Sequence, residues 1–323
     1  MVRSSSRTTS RVVRSTRELR AALPILLAYG VSMSVFDPPP PFSTAPVDAR
    51  RRCSRLFFDV DDTVTWRGRL PEESVRALYR AHAAGLSLVA VTGRSFAWGE
   101  LLVRLLPLDA VVVETGAAAL FHTRDGSGHP QLVVLHHEED GEVRAALRHR
   151  RRVAAGAVLA QVPSARLATD NVGRLADTAF DLVEEGPPVP TEDAMAIRRI
   201  LDEAGLTTAQ SSVHINAFAL GPAGPFDKAT MVDRLLRRMS GTSLADAAAT
   251  LCYVGDSTND GPLFAAAGLS VGVGNVRHHL PALRERAQAP AYVVDGDGGF
   301  GFAQVVATLL EARDAEVVGN AAG

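Results

Sequence analysis

The sequence predicts an α/β fold in which a parallel sheet is covered by helices on both faces and interrupted by a smaller α+β insert. Three observations carry this. Short apolar runs rich in Val, Leu and Phe recur at Leu56–Val60, Leu86–Val91, Ala110–Val113, Leu251–Val254 and Leu269–Val273. Helical stretches separate the first of them, and strands that are apolar on both faces belong to parallel sheets buried under crossover helices. Between Ala117 and about Leu220 the rhythm changes, with a hairpin pattern, one long helix and shorter mixed segments.

In chain order, residues 1–53 stand apart. They open with an Arg/Ser/Thr-rich stretch, continue through the apolar segment 21–36, and reach Asp37 and a run of four prolines. They are expected to be an extension without a fold of its own, disordered or leader-like. An organellar presequence is the alternative to a cytoplasmic default. From Ser54 strands and helices alternate, and Pro71 suits the first turn of a helix running to Ala84. Within the insert, Ala118–Phe121 and Leu132–His136 read as a hairpin across Arg-Asp-Gly-Ser-Gly. A long Arg/Ala helix follows, then strand-like Ala176–Leu182, a helix over Glu192–Ala204 and strand-like Val213–Ala219. The expected organisation is therefore a discontinuous core over 54–117 and 222–314, a cap over 118–221 and a tail over 315–323.

The chain has 323 residues, is 46% apolar and 22% charged, and carries a net charge of −2. That length suits one large domain or two ordinary ones. No apolar run reaches the ~18 residues of a membrane span, and a near-neutral chain is a poor general binder of nucleic acid. The balance is uneven. Residues 1–55 carry ten Arg against Glu18, Asp37 and Asp48, so the rest of the chain is acidic. Lys228 is the only lysine beside 33 arginines. The two cysteines, Cys53 and Cys252, form neither a zinc motif nor a disulfide framework. No signal assigns an oligomeric state.

The chemistry gathers where the apolar runs end. The first runs into Asp59-Val60-Asp61-Asp62-Thr63, the second into Thr92-Gly93-Arg94, and the fourth into Gly255-Asp256-Ser257-Thr258-Asn259-Asp260. Ligands of open parallel sheets bind beyond the carboxyl ends of the strands. Asp59 and Asp61, two apart on extended backbone, point to the same side. So many carboxylates in one crevice call for a hard cation with oxygen ligands, which favours Mg2+. The cation and a lysine would let one Asp stay ionised as nucleophile while its neighbour moves protons.

These residues resemble the motifs of the haloacid dehalogenase superfamily of phosphatases. Phe-Phe-Asp59-Val-Asp61-Asp-Thr63 is similar to the first motif, Val91-Thr92-Gly93-Arg94 to the second, Lys228 in Phe-Asp-Lys-Ala-Thr to the third, and Gly255-Asp256-Ser-Thr-Asn259-Asp260 to the fourth. The resemblance spans about residues 54–312. It implies a Rossmann-like core with an inserted α+β cap of type IIB, the group holding sugar-phosphate and Cof-like phosphatases. By the same resemblance, Asp59 is the nucleophile, Asp61 the acid/base, Thr92 a phosphoryl ligand and Lys228 the neutralising cation. Asp62, Thr63, Gly93 and Arg94 would cradle phosphate. Mg2+ would sit on Asp59, the Asp61 carbonyl and Asp256, supported by Asn259 and Asp260. Two departures stand out: Asp62 occupies a position that is often Gly, and Thr115 in Glu114-Thr115-Gly116-Ala117 occupies one that is often Asn.

Substrate contacts are expected from Glu114, Thr115, Asp170, Arg174, His214 and Asn216. The expected activity is Mg2+-dependent hydrolysis of a small phosphorylated metabolite, a sugar phosphate before others, through an aspartyl-phosphate. A phosphomutase or phosphotransferase and a non-catalytic phosphate-binding module are the alternatives. Gly296-Asp-Gly298-Gly-Phe-Gly301 matches a dinucleotide fingerprint but lacks the following strand and acid, so it reads as a loop and helix start. His136-His137-Glu138-Glu139-Asp140 reads as a solvated helix opening, and Arg148–Arg152 as a solvated helix face.

Overall fold

The computed structural model describes residues 38–210 and 213–320. Helix α1 (Val47–Arg52) precedes β1 (Arg55–Phe58), α2 (Glu72–Ala83), β2 (Ser87–Val91), α3 (Phe96–Leu105) and β3 (Ala110–Val113). The hairpin β4 (Ala118–Arg124) and β5 (Pro130–His136) follows, then α4 (Gly141–Gln161), β6 (Asp177–Asp181), α5 (Thr191–Glu203), β7 (Thr207–Gln210) and β8 (His214–Phe218). The chain closes with α6 (Lys228–Ser240), α7 (Leu244–Ala247), β9 (Leu251–Gly255), α8 (Gly261–Ala266), β10 (Leu269–Gly272), α9 (Leu280–Glu285), β11 (Tyr292–Val293) and α10 (Gly298–Asn320).

The strands form an eight-stranded sheet in the order β11-β10-β9-β1-β2-β3-β4-β5 and a three-stranded sheet in the order β6-β8-β7. From β11 to β3 all pairs are parallel, with Phe58 opposite both Ala90 and Val254. Strand order runs outward from β1 in both directions, so the switch point lies between β1 and β9. Crevices of such sheets open there, beyond the carboxyl ends. One face packs Leu56, Phe58, Leu88, Val254 and Phe302 together; the other packs Phe57, Val89, Tyr253 and Leu235. Burying each such aliphatic or aromatic side chain contributes about 1.5–3 kcal/mol. Among the described residues, no helix is long and apolar enough to cross a membrane.

Three expectations change. The hairpin read as part of the cap instead extends the large sheet: Val113 pairs with Ala118 and Ala118 with His136, both antiparallel. Ala118–Phe121 is buried throughout, as a strand inside a sheet must be, and the separate layer starts only after His136. Residues 38–53, read as outside the fold, join it. Phe42 and Cys53 are buried, Pro41 bridges Val293, and Arg51 donates to the Ala312 carbonyl. A single aromatic behind a proline run carries no periodicity to read, and residues 1–37 of that segment lie outside the described residues. The tail read over 315–323 is helical as far as Asn320, as the end of α10, and residues 321–323 lie outside the described residues.

The smaller sheet packs on α4 and α5 through Val158, Phe180, Ile197, Leu201 and Ile215, and this is the cap. The two crossings between sheet and cap run side by side: His137 Nε2 donates to the Gly224 carbonyl at 3.2 Å, and its ring lies 5.0 Å from that of Phe226. His137 is thus buried at the crossing, not part of a solvated helix opening. Gly116 meets the returning chain so closely that a Cβ there would lie 2.1 Å from the Asp227 carbonyl oxygen.

Candidate active site

Three segments of backbone place the site. After β1, the Asp59 N–H still donates to the Val254 carbonyl at 2.9 Å, fixing its side chain at the crevice. The chain then turns through Asp62 at φ +51°, a left-handed conformation that Asp tolerates and that makes Gly dispensable here. Its carboxylate secures the turn by accepting the Arg67 N–H at 3.0 Å. Helix α6 begins at Lys228 because the Asp227 carboxylate caps it by accepting the Thr230 N–H at 2.7 Å.

Lys228 Nζ donates to Asp59 at 2.6 Å and to Asp260 at 2.7 Å, and all three groups are buried. Asp260 spends both oxygens on its surroundings. One accepts from Lys228 and the Tyr253 hydroxyl, the other from the Asp256 and Ser257 N–H groups at 3.0 Å. Gly255 leaves room for that carboxylate, since a Cβ there would stand 2.6 Å from the Asp260 Cγ. Burial is the largest influence and would raise Asp260, but the Lys228 charge together with the hydrogen bonds from Lys228, Tyr253 and the Ser257 N–H holds the carboxyl below its usual value. Asp256 differs: among the described residues its one side-chain hydrogen bond comes from Asn275 Nδ2 at 2.9 Å.

Asp59, Asp256 and Asp260 each bring a carboxylate oxygen within 4.8 Å of the others. Burial pushes Asp59 up to about 7, with Asp260 and Asp61 adding to it against the pull of Lys228. Burial, then Asp260 and Asp59, pushes Asp256 up to about 9. One ammonium does not balance three buried carboxylates. This donor set fits a hard divalent cation, whose charge would return both groups to the ionised form. Asp59 and Asp256 line the cavity and are placed to hold it, whereas Asp260 is set behind them as support.

The crevice and cap enclose a cavity of about 410 Å³. Asp59, Asp61, Asp62, Gly93, Arg94, Thr115, Lys228, Asp256 and Asn259 line it from the core, and Arg174, His214 and Asn216 from the cap. Besides Asp260, four expected residues do not line it. The Thr92 hydroxyl is buried and accepts the Arg94 N–H at 3.0 Å, and the Thr63 hydroxyl is buried without a partner. Asp170 is occupied by Arg174 at 2.9 Å. Glu114 is a structural clamp: its carboxylate accepts N–H groups from Phe96 on the core and from Leu175, Ala176 and Asp177 on the cap. Burial and the neighbouring Asp177 push its carboxyl up, against the N–H donors.

Sequence reasoning missed Thr65, Arg67, Glu184, Gln210 and His279, all of which line the cavity, and also Asn275 and Tyr253 behind it. Asn275 had a readable signal, because it follows β10 at another carboxyl end. The glycine-rich loop read as a helix start is one, and its Gly298 N–H donates to Asn275 Oδ1 at 2.9 Å. Glu184 had no local signal. It follows β6 in the cap and pairs with Arg94, ninety residues earlier in the chain.

Residues 56–126 match the haloacid dehalogenase-like hydrolase family. No curated protein matches the chain. Among solved structures, the chain is similar to protein 0175 of Thermoplasma acidophilum, with 19% identity and a TM-score of 0.58, covering 80% of this chain and 98% of that one. A trehalose-6-phosphate phosphatase related protein is 17% identical with a TM-score of 0.50, over 84% and 100% of the two chains. A third structure, described as showing conservation of a trigonal-bipyramidal intermediate in a phosphoryl-transfer superfamily, is 17% identical with a TM-score of 0.52, over 79% and 98%. At such identities these likenesses speak for the fold. The family match over residues 56–126, the shared fold and the four motif segments meeting at one sheet edge make the chain similar to the haloacid dehalogenase-like hydrolases.

Proposed function

We propose that the protein is a Mg2+-dependent phosphatase that cleaves a small phosphorylated metabolite, a sugar phosphate, through an aspartyl-phosphate on Asp59. The observation that carries this reading is the Asp59–Lys228 pair at 2.6 Å, facing a cavity whose cap wall is built of hydrogen-bonding side chains. Gln210, His214 and Asn216 suit the hydroxyls of a sugar better than an apolar or nucleic-acid partner. A structure similar in fold, described as related to trehalose-6-phosphate phosphatase, supports the same class.

An Asp59 oxygen attacks phosphorus, the P–O bond to the leaving alkoxide breaks, and Asp61 gives that alkoxide its proton. Water then yields a proton to Asp61 and attacks phosphorus, the bond to Asp59 breaks, and inorganic phosphate leaves. Lys228 holds the attacking carboxylate in place and offsets the charge that gathers on the phosphoryl oxygens. The cap excludes bulk water while the acyl phosphate exists. Mg2+ held by Asp59, Asp256 and the Asp61 carbonyl would supply charge stabilisation at the phosphoryl oxygens.

The test is phosphate release from a panel of sugar phosphates with and without Mg2+, alongside Asp59→Asn. Release that needs Mg2+ and falls by about 10⁴-fold or more in the variant supports the reading. Migration of the phosphoryl group within a sugar without net release would replace it with a mutase, and phosphate binding without turnover would replace it with a binding module.

A further inference from the structure

The guanidinium of Arg94 is held from three sides. Its Nε donates to both Asp61 oxygens at 2.9 and 3.0 Å, its Nη2 pairs with Asp61 at 2.8 Å and with Glu184 at 3.0 Å, and its Cζ lies 5.3 Å from the centre of the Trp98 ring. Asp61 and Trp98 belong to the core, but Glu184 belongs to the cap. The core loop that carries Arg94 is gripped a second time, since Arg174 of the cap donates to the Gly93 carbonyl at 3.2 Å.

Glu184 is presented by a built turn. The Asp181 carboxylate, fully buried at the end of β6, accepts the N–H groups of Val183, Glu184 and Glu185 and is paired with Arg166. Burial would raise Asp181, but these donors hold it below its usual value, so the turn is anchored by a charge. On its far side Glu184 meets His214 Nε2 at 3.1 Å. The His214 hydrogen bond and Arg94 together hold the Glu184 carboxyl at about 2. One guanidinium thus joins the carboxylate of the acid/base to a carboxylate fixed on the cap. A planar fork bound on two edges has little freedom left.

The geometry points to Glu184 as a positioning residue: through Arg94 it fixes the Asp61 carboxylate while the cap is docked, so that proton delivery to the leaving group depends on cap closure. Asp61 is 41% exposed as a side chain and, among the described residues, has no other side-chain partner; without the clamp nothing orients it. The kinetic part of this inference rests on the phosphatase reading, and the clamp itself does not.

The test uses substituted phenyl phosphates, which share a shape and carry no sugar hydroxyls for the cap to bind. In the unmodified protein kcat/KM is expected to vary shallowly with leaving-group basicity, because Asp61 supplies the proton. Glu184→Ala should leave p-nitrophenyl phosphate within about threefold but lower phenyl phosphate by about 30-fold, as loss of placed acid catalysis does. Glu184→Gln, which keeps an acceptor for Arg94, should recover part of that loss. Equal effects on both esters, or none on either, would overturn the proposal. Thermal unfolding of Glu184→Ala, Arg94→Met and the double variant gives a second readout. Coupling requires that the double variant lose less than the two single losses together, by about 2 °C; strict additivity would also overturn it. If no ester is turned over, the hydrolase reading fails by itself, and the unfolding cycle still decides the clamp.

Discussion

The two walls of the cavity treat charge in opposite ways. On the core wall Asp59, Asp256 and Asp260 face a single ammonium, and two of the three carboxyls are driven upward. On the cap wall the charges of Arg174 and Glu184 already have protein partners. Arg174 is matched by Asp170 and Asp177, with Asn216 adding a hydrogen bond to Asp177 at 2.7 Å, and Glu184 is matched by His214 and Arg94. The core wall has room for a further positive charge, while the charges of the cap wall are matched as folded. On the function proposed above, the first would perform chemistry and the second would recognise and position.

That contrast can be broken most forcefully at Arg174. Its pair with Asp177 is buried on both sides, so Arg174→Ala leaves a buried carboxylate uncompensated and turns the cap wall into a second unbalanced one. The expected loss is about 3–5 kcal/mol, read by denaturant unfolding. An unchanged midpoint would mean that the cap does not rely on internal pairing.

A cation should act in the opposite direction and make the core wall resemble the cap. Mg2+ at a hundred times its dissociation constant should stabilise the fold by about 2.7 kcal/mol, and chelator should remove that gain. The dependence on pH follows from the raised carboxyls. Because Asp59 and Asp256 bind protons more tightly folded than unfolded, the metal-free protein loses stability as pH rises from about 4, the unfolded value, through about 7 and then about 9. Saturating Mg2+ should flatten this part of the slope; an identical slope with and without metal would place the cation elsewhere.

The smallest effect lies at the seam between the walls. Thr115 is held at φ +57°, where a β-branched residue is strained, and Asn is better suited there. Thr115→Asn is expected to stabilise the protein by about 1 kcal/mol, visible as a rise in Tm. A fall would show that the threonine makes a contact worth more than the strain.

How much was legible follows the same division. Strands buried on both faces announce themselves as apolar runs, and the residues immediately after them inherit the crevice, so Asp59, Asp61 and Asp256 could be placed there in advance. Lys228, at a helix start, was reached only through the resemblance of its motif. Thr92 could be placed at the right edge but not aimed, because its hydroxyl turns inward to accept the Arg94 N–H. The hairpin was recognised as a hairpin yet assigned to the wrong layer, since local alternation does not say which sheet a strand joins. Glu184 was invisible: two acids after a strand look like a solvated turn, and only folding brings them to Arg94. Glu114 was noticed as a substrate contact, but its function lies in four N–H bonds that no side-chain pattern encodes.

The two adjacent crossings at His137 and Gly224 have an architectural consequence. A segment that leaves and returns at one spot is a graft: it can be lengthened, exchanged for another or trimmed to a short link without threading the sheet or disturbing its strand order. The segment between those crossings can therefore be changed without moving the edge that carries Asp59 and Lys228. In this chain the tethers on that freedom are the guanidinium of Arg94, the Glu114 carboxylate and the Gly93 carbonyl, and any replacement module would have to offer each of them a partner.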